Sequence, residues 1–185
     1  MTRTEEKLLT ADDLLRLYSG GVRGELIRGA LCRTTPKGLT HGEIVMSLGG
    51  ALRNFIRPRR LGRLVGSDSG MMLERDPDTV REPDIAFISA QKLPLNVRLS
   101  GYYEGAPDLV VEIVSPSDGT REVYHKARMW ISFGVSIVWV VNPENRAIEV
   151  HCPNQPLLSL TENDILDGGE GLPGFNYPVR DVFDL

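Results

Sequence analysis

The sequence predicts an α/β protein, a mixed β-sheet flanked by helices with additional short strands towards its N- and C-terminal ends. Three observations point that way. A helical period runs through residues 40–57, with His41, Ile44, Val45, Leu48, Leu52, Phe55 and Ile56 on one stripe. The segment Asp108-Leu-Val-Val-Glu-Ile-Val114 is apolar on both faces except at Glu112, as a central strand is. A second helical pattern and a second buried strand follow it, so residues 108–141 resemble a parallel strand–helix–strand crossover.

Taken in order, Thr10 caps a short first helix whose apolar contacts come from Leu14, Leu15 and Leu17. Residues 25–32 read as two short strands about a turn at Gly29. Beyond Pro58 the pattern changes to strands at 63–65, 71–74 and 85–89, with Gly62, Gly66, Gly70 and Asp76-Pro-Asp in the turns. Residues 90–107 form a long polar connection. The helix of the crossover spans about 119–133, capped by Ser117 or Asp118 and stopped near Gly134. Residues 135–141 are a buried strand, 148–151 its hairpin partner, and 157–185 short strands and turns. No repeat, low-complexity segment or linker divides the chain, so a single domain over residues 1–185 is expected.

At 185 residues and 41% hydrophobic content the chain can build a core without disulfides or a structural metal. Cys32 and Cys152 lie far apart and in no metal-ligand spacing, which argues against a disulfide framework or a zinc knuckle. The opening Met-Thr-Arg-Thr-Glu-Glu-Lys has no apolar signal core, and apolar runs such as 137–141 are too short to span a bilayer. A soluble, cytoplasmic protein without a membrane partner is expected. The net charge of −4 argues against a generic polyanion binder, but it is unevenly spread. Residues 1–66 carry a net +6 and residues 67–185 a net −10. Either a basic surface faces a carboxylate-rich region, or solvated faces fall unevenly.

Three polar residues sit where apolar ones belong. Alternation puts Glu112 beside Val110 and Val114 on one face of its strand. A buried carboxylate needs a cation, a metal or a proton, and a plain salt bridge or a strand end reaching solvent also meets that need. Lys126 lies on the edge of the helix face defined by Val123, Ala127, Trp130 and Ile131. Because that helix packs on the strand preceding it, a structural Lys126–Glu112 pair accounts for both residues without any activity. Asp84 opens an apolar strand directly after Pro83, which suits a strand start because it cannot donate to the ladder. If that strand lies next to the Glu112 strand, two carboxylates converge at one end of the sheet. They then repel unless a shared proton or a divalent ion lies between them, and two oxygen ligands with water and phosphate are a usual setting for magnesium. As a strand-start aspartate, Asp84 needs no such role.

Arg53, Arg57, Arg59, Arg60 and Arg63 crowd the end of the long helix and the next turn. They suit phosphate contacts, and equally the favourable placing of cations at a helix C-terminus.

An Asp after Pro, a Glu in an apolar strand and a nearby Lys form the residue set of the PD-(D/E)xK nuclease superfamily. The wider sequence resembles one branch of it, the Uma-type putative restriction endonucleases. The likeness rests on Glu25-Leu-Ile-Arg-Gly, His41 opening an amphipathic helix, Arg81-Glu-Pro-Asp-Ile-Ala-Phe, and Pro107-Asp-Leu-Val-Val-Glu-Ile-Val-Ser-Pro-Ser-Asp118. Lys126 with Gly134-Val135, and Val138-Trp-Val-Val-Asn-Pro143, extend it. Each motif is weak singly, and their ordered run from about residue 25 to 150 is strong.

The resemblance implies a restriction-endonuclease-like core and metal-dependent hydrolysis of DNA. Asp84 and Glu112 would be ligands of Mg2+ or Mn2+, Lys126 the lysine that polarises phosphate or water, and Glu25 an additional acidic ligand or orienter. His41 is a further candidate, or simply a helix-start histidine on the core edge. A homodimer is implied by analogy with nucleases that cut two strands. Two departures stand out: Val114 occupies the superfamily's usual lysine position, so Lys126 must reach the site from the helix, and Arg28 stands where relatives often carry an acidic or amide residue. A catalytically inactive scaffold of the same fold, binding DNA or protein, is the alternative.

Overall fold

The computed structural model describes residues 8–115 and 119–184. The elements run α1 (Ala11–Ser19), β1 (Gly24–Ile27), β2 (Ala30–Arg33), α2 (Leu39–Arg59), β3 (Gly62–Gly66), β4 (Met71–Glu74), β5 (Thr79–Arg81) and β6 (Ile85–Ser89). They continue with β7 (Tyr103–Glu104), β8 (Leu109–Ile113), α3 (Thr120–Ser132), β9 (Ile137–Asn142), β10 (Ala147–His151), β11 (Leu158–Leu160), β12 (Ile165–Asp167), β13 (Asn176–Pro178) and α4 (Val179–Phe183). They fall into two compact units, the smaller built from the chain up to Pro36 with Gly70–Glu82 and Leu99–Gly105.

The smaller unit is a five-stranded sheet in the order β2-β1-β5-β4-β7, with α1 packed on β1. Thr10 caps α1 as predicted: its hydroxyl accepts the Asp13 N–H, and the Asp13 carboxylate accepts the Thr10 N–H. Of the three leucines expected to pack, Leu14 is fully buried against Leu26 and Val80, whereas Leu15 is exposed. The β1–β2 turn is Arg28-Gly29, both residues left-handed (φ 51° and 80°), which is the signature of a type I′ hairpin turn.

The larger unit holds a six-stranded sheet in the order β11-β10-β9-β8-β6-β3. β8 and β9 run parallel, joined by α3 as the crossover helix, and every other pairing in this sheet is antiparallel. The helical stripe of α2 (Ile44, Leu48, Leu52, Ile56) packs with Leu109, Val111 and Ile113 of β8 and with Ile137, Trp139 and Val141 of β9. Alternation turns Val110 and Glu112 to the opposite face, where α3 packs on β8 and β9 with Ala127 and Trp130 fully buried. The chain from Leu172 to Phe183 closes the α2 side with Phe175, Val179, Val182 and Phe183.

Four local expectations are corrected. β5 forms just after the Asp76-Pro-Asp turn, where no strand was expected, and β7 within the stretch read as polar connection, since two or three residues are too short to display a period. The tail ends in α4 rather than in strands and turns alone. α3 is capped by Gly119 without a side-chain hydrogen bond, and Ser117 and Asp118, the expected caps, lie outside the described residues. The long helix continues through Pro58 to Arg59 and stops where Arg60 turns left-handed.

Candidate active site

The larger unit brings four of the sequence-predicted site residues to one end of its sheet. β6 and β8 pair antiparallel with Ile85 opposite Val111, so the residue ahead of β6 meets the residues that close β8. Asp84 Oδ2 accepts the backbone N–H of Ile113 at 2.7 Å, so the side chain extends the ladder by one bond. The same oxygen lies 3.1 Å from His41 Nε2. His41 stands in the first turn of α2 and is 7% exposed.

Glu112, 5% exposed within β8, meets two donors from α3. Lys126 Nζ is 2.8 Å from Oε2, and Trp130 Nε1–H donates to Oε1 at 2.7 Å. Positions 126 and 130 are one helical turn apart, so both side chains descend on the strand from one helix face. The Lys126 side chain stays 25% exposed because its long stem runs past the core edge.

Asp84 is the group whose ionisation the site visibly tunes. Burial pushes its carboxyl up, but the His41 imidazole, the Ile113 N–H and the charge of Lys126 together outweigh burial and hold it below the usual carboxylate range. The Lys126 charge thus acts on both carboxylates. One ammonium and two neutral N–H groups face these carboxylates, an arrangement that suits oxygen anions that stay ionised.

The other candidates belong to other elements. Glu25 belongs to the smaller unit, where Oε1 accepts the Glu82 N–H at 2.7 Å and Oε2 lies 3.1 Å from the guanidinium of Arg81. Arg53, Arg57, Arg59 and Arg60 are exposed at the far end of α2, about 18–28 Å along its axis from His41. Arg63 has a structural use: its guanidinium donates to the carbonyls of Pro94, Leu95 and Val97 and ties down that loop. The sequence reading missed the two donors Trp130 and Arg81. The four-residue step from Lys126 to Trp130 was the available signal, but an indole among apolar neighbours reads as core.

Two carboxylates at one sheet end are hard oxygen donors of the kind Mg2+ and Mn2+ take, ions that keep several waters and need one or two protein ligands. Among the described residues no group of three or more His, Cys, Asp or Glu side chains gathers closely enough to hold a metal ion, so a bound ion would rest on the two carboxylates.

The fold is that of a mixed α/β protein, with mixed sheets flanked by helices. It is similar to a putative nuclease of the DUF820 group from Anabaena variabilis, with a TM-score of 0.80 and 20% identity, over 95% of this chain and 97% of that one. The chain belongs to the Uma2 family of putative restriction endonucleases, whose family model matches residues 11–180. No curated protein matches it. Among the described residues no helix is long and apolar enough to cross a membrane.

Proposed function

We propose that the protein is a divalent-metal-dependent DNA phosphodiester hydrolase acting through Asp84, Glu112 and Lys126. One observation carries this reading: a buried carboxylate inside a central strand, Glu112, has an ammonium 2.8 Å away, on the strand adjoining the one that Asp84 opens. Burying such groups costs stability, and a site that must hold a cation and a phosphate has a use for them. Family membership and the likeness to a putative nuclease support DNA as the substrate.

Asp84 and Glu112 would hold Mg2+ or Mn2+. The bound ion supplies charge neutralisation at a phosphate oxygen and lowers the pKa of a water. Lys126 places its ammonium where negative charge grows on the phosphoryl oxygens as water adds to phosphorus and one P–O ester bond breaks. His41 steadies Asp84 in its ionised form. Glu25, fixed by Arg81 and the Glu82 amide, would be an additional acidic ligand or orienter. No covalent enzyme intermediate is required. A homodimer would present two such sites to the two strands of a duplex.

The scaffold reading has its own support, since each of these carboxylates already meets donors, as in a structural ion-pair network. Plasmid nicking separates the two. With Mg2+ or Mn2+ the wild type is expected to nick supercoiled DNA, and D84N, E112Q and K126M each to lose at least about 100-fold in rate while remaining folded. Equal nicking by all four proteins would point to a contaminant. Metal-independent DNA binding without nicking by any of them would favour the scaffold.

A further inference from the structure

Trp130 has no part in the chemistry outlined above, yet its indole is fully buried and its N–H reaches Glu112 Oε1 at 2.7 Å. Trp139, the chain's other tryptophan, is buried as deeply, and its Nε1 has no hydrogen-bond partner among the described residues. Trp139 therefore serves as an internal comparison for what the Trp130 N–H adds.

The two oxygens of Glu112 have unlike neighbours. Oε1 faces a rigid, neutral, fully buried donor, whereas Oε2 faces the tip of a flexible side chain that is 25% exposed. An incoming cation at Oε2 meets the Lys126 ammonium, whose stem is partly open to solvent. Gripping both oxygens would break a buried hydrogen bond with nothing to replace it. A neutral donor also brings no charge that would repel a cation, as a second lysine or an arginine in its place would.

We propose that Trp130 is the positioning residue of Glu112: its indole N–H pins Oε1, so that the carboxylate offers a divalent cation one oxygen, Oε2, already aimed. The proposal rests on the metal-dependent reading given above. Groups that orient a ligand in this way typically change metal affinity by about 10- to 100-fold when removed.

The test measures Mn2+ affinity by calorimetry and follows the two indole N–H signals of 15N-labelled protein during Mg2+ titration. In the wild type the Trp130 signal is expected to move to saturation while that of Trp139 stays still. W130F is expected to bind Mn2+ about 10- to 100-fold more weakly. Should W130F not fold, replacing both tryptophans with benzothienylalanine removes the N–H and keeps the shape. Trp139 loses no hydrogen bond in that exchange, so the same weakening is expected. Wild-type affinity in a folded protein lacking the N–H, with E112Q much weakened, would overturn the positioning role and leave the metal reading intact. If the wild type binds no Mn2+, or E112Q binds as the wild type does, the metal reading fails and this proposal falls with it.

Discussion

Asp84 and Tyr102 show burial opposed and burial unopposed at a titrating side chain. Burial disfavours the charged form of each. At Asp84 three partners reverse the effect, and the carboxyl ionises more readily than usual. Its contribution to stability is then present above the ordinary carboxylate range and lost as the pH falls through the acid region. At Tyr102 nothing reverses it: burial first, and the charge of Glu82 second, push the phenol up from 10.0 to about 12. The folded state holds this proton more tightly than the unfolded chain does. Its contribution is complete below pH 10 and disappears as the pH rises to about 12. Urea midpoints across that window are expected to fall further for the wild type than for Y102F, and parallel curves would refute the assignment. Near neutral pH Y102F should be as stable as the wild type or slightly more so, because the Tyr102 hydroxyl has no hydrogen-bond partner among the described residues.

At the scale of elements, the β1–β2 hairpin converts a sequence oddity into a turn problem. Arg28 adopts a left-handed backbone at φ 51°, where asparagine is far better tolerated, and Gly29 follows at φ 80°. R28N is expected to raise stability by about 0.5–1 kcal/mol, read from chemical denaturation, with no change in the fold. A destabilised variant would mean that the arginine side chain holds the turn through contacts that outweigh its backbone cost. The elements carrying long periods or apolar runs, α2, β8, α3 and β9, were legible because one face or both must be apolar to pack. β5 and β7 were not, since they are strands only by virtue of their neighbours. Much of the candidate site was legible by the same logic, as charges within an apolar pattern: Glu112 and Lys126 announce themselves. His41 as the partner of Asp84 and Trp130 as the partner of Glu112 were hidden, because a histidine or an indole at a core position satisfies the pattern whether or not its nitrogen does anything. Glu25 was legible as a carboxylate worth noting, but its pairing with Arg81 depends on strand order rather than spacing.

For the whole molecule the uneven charge has a measurable meaning. Arg53, Arg57, Arg59 and Arg60 extend from the end of α2 opposite His41, a separation within one turn of a DNA duplex, about 34 Å. Binding of a short duplex, followed by fluorescence anisotropy, is expected to weaken steeply with salt. In R53A/R57A/R59A/R60A the log–log slope should become shallower by about 0.9 for every phosphate contact removed. An unchanged slope would take the patch off the path of the DNA.

Residues 172–183 supply Leu172, Phe175, Val179, Val182 and Phe183 to the same apolar cluster as the first long helix, and Asp181 accepts a hydrogen bond from Ser47 across 134 positions of sequence. During translation α2 leaves the ribosome well over a hundred residues ahead of the segment that covers it. Until those last contributors emerge, the greasy side of α2 faces water or whatever chaperone holds the nascent chain. Loss of residues 172–183 should therefore damage solubility before it damages anything chemical.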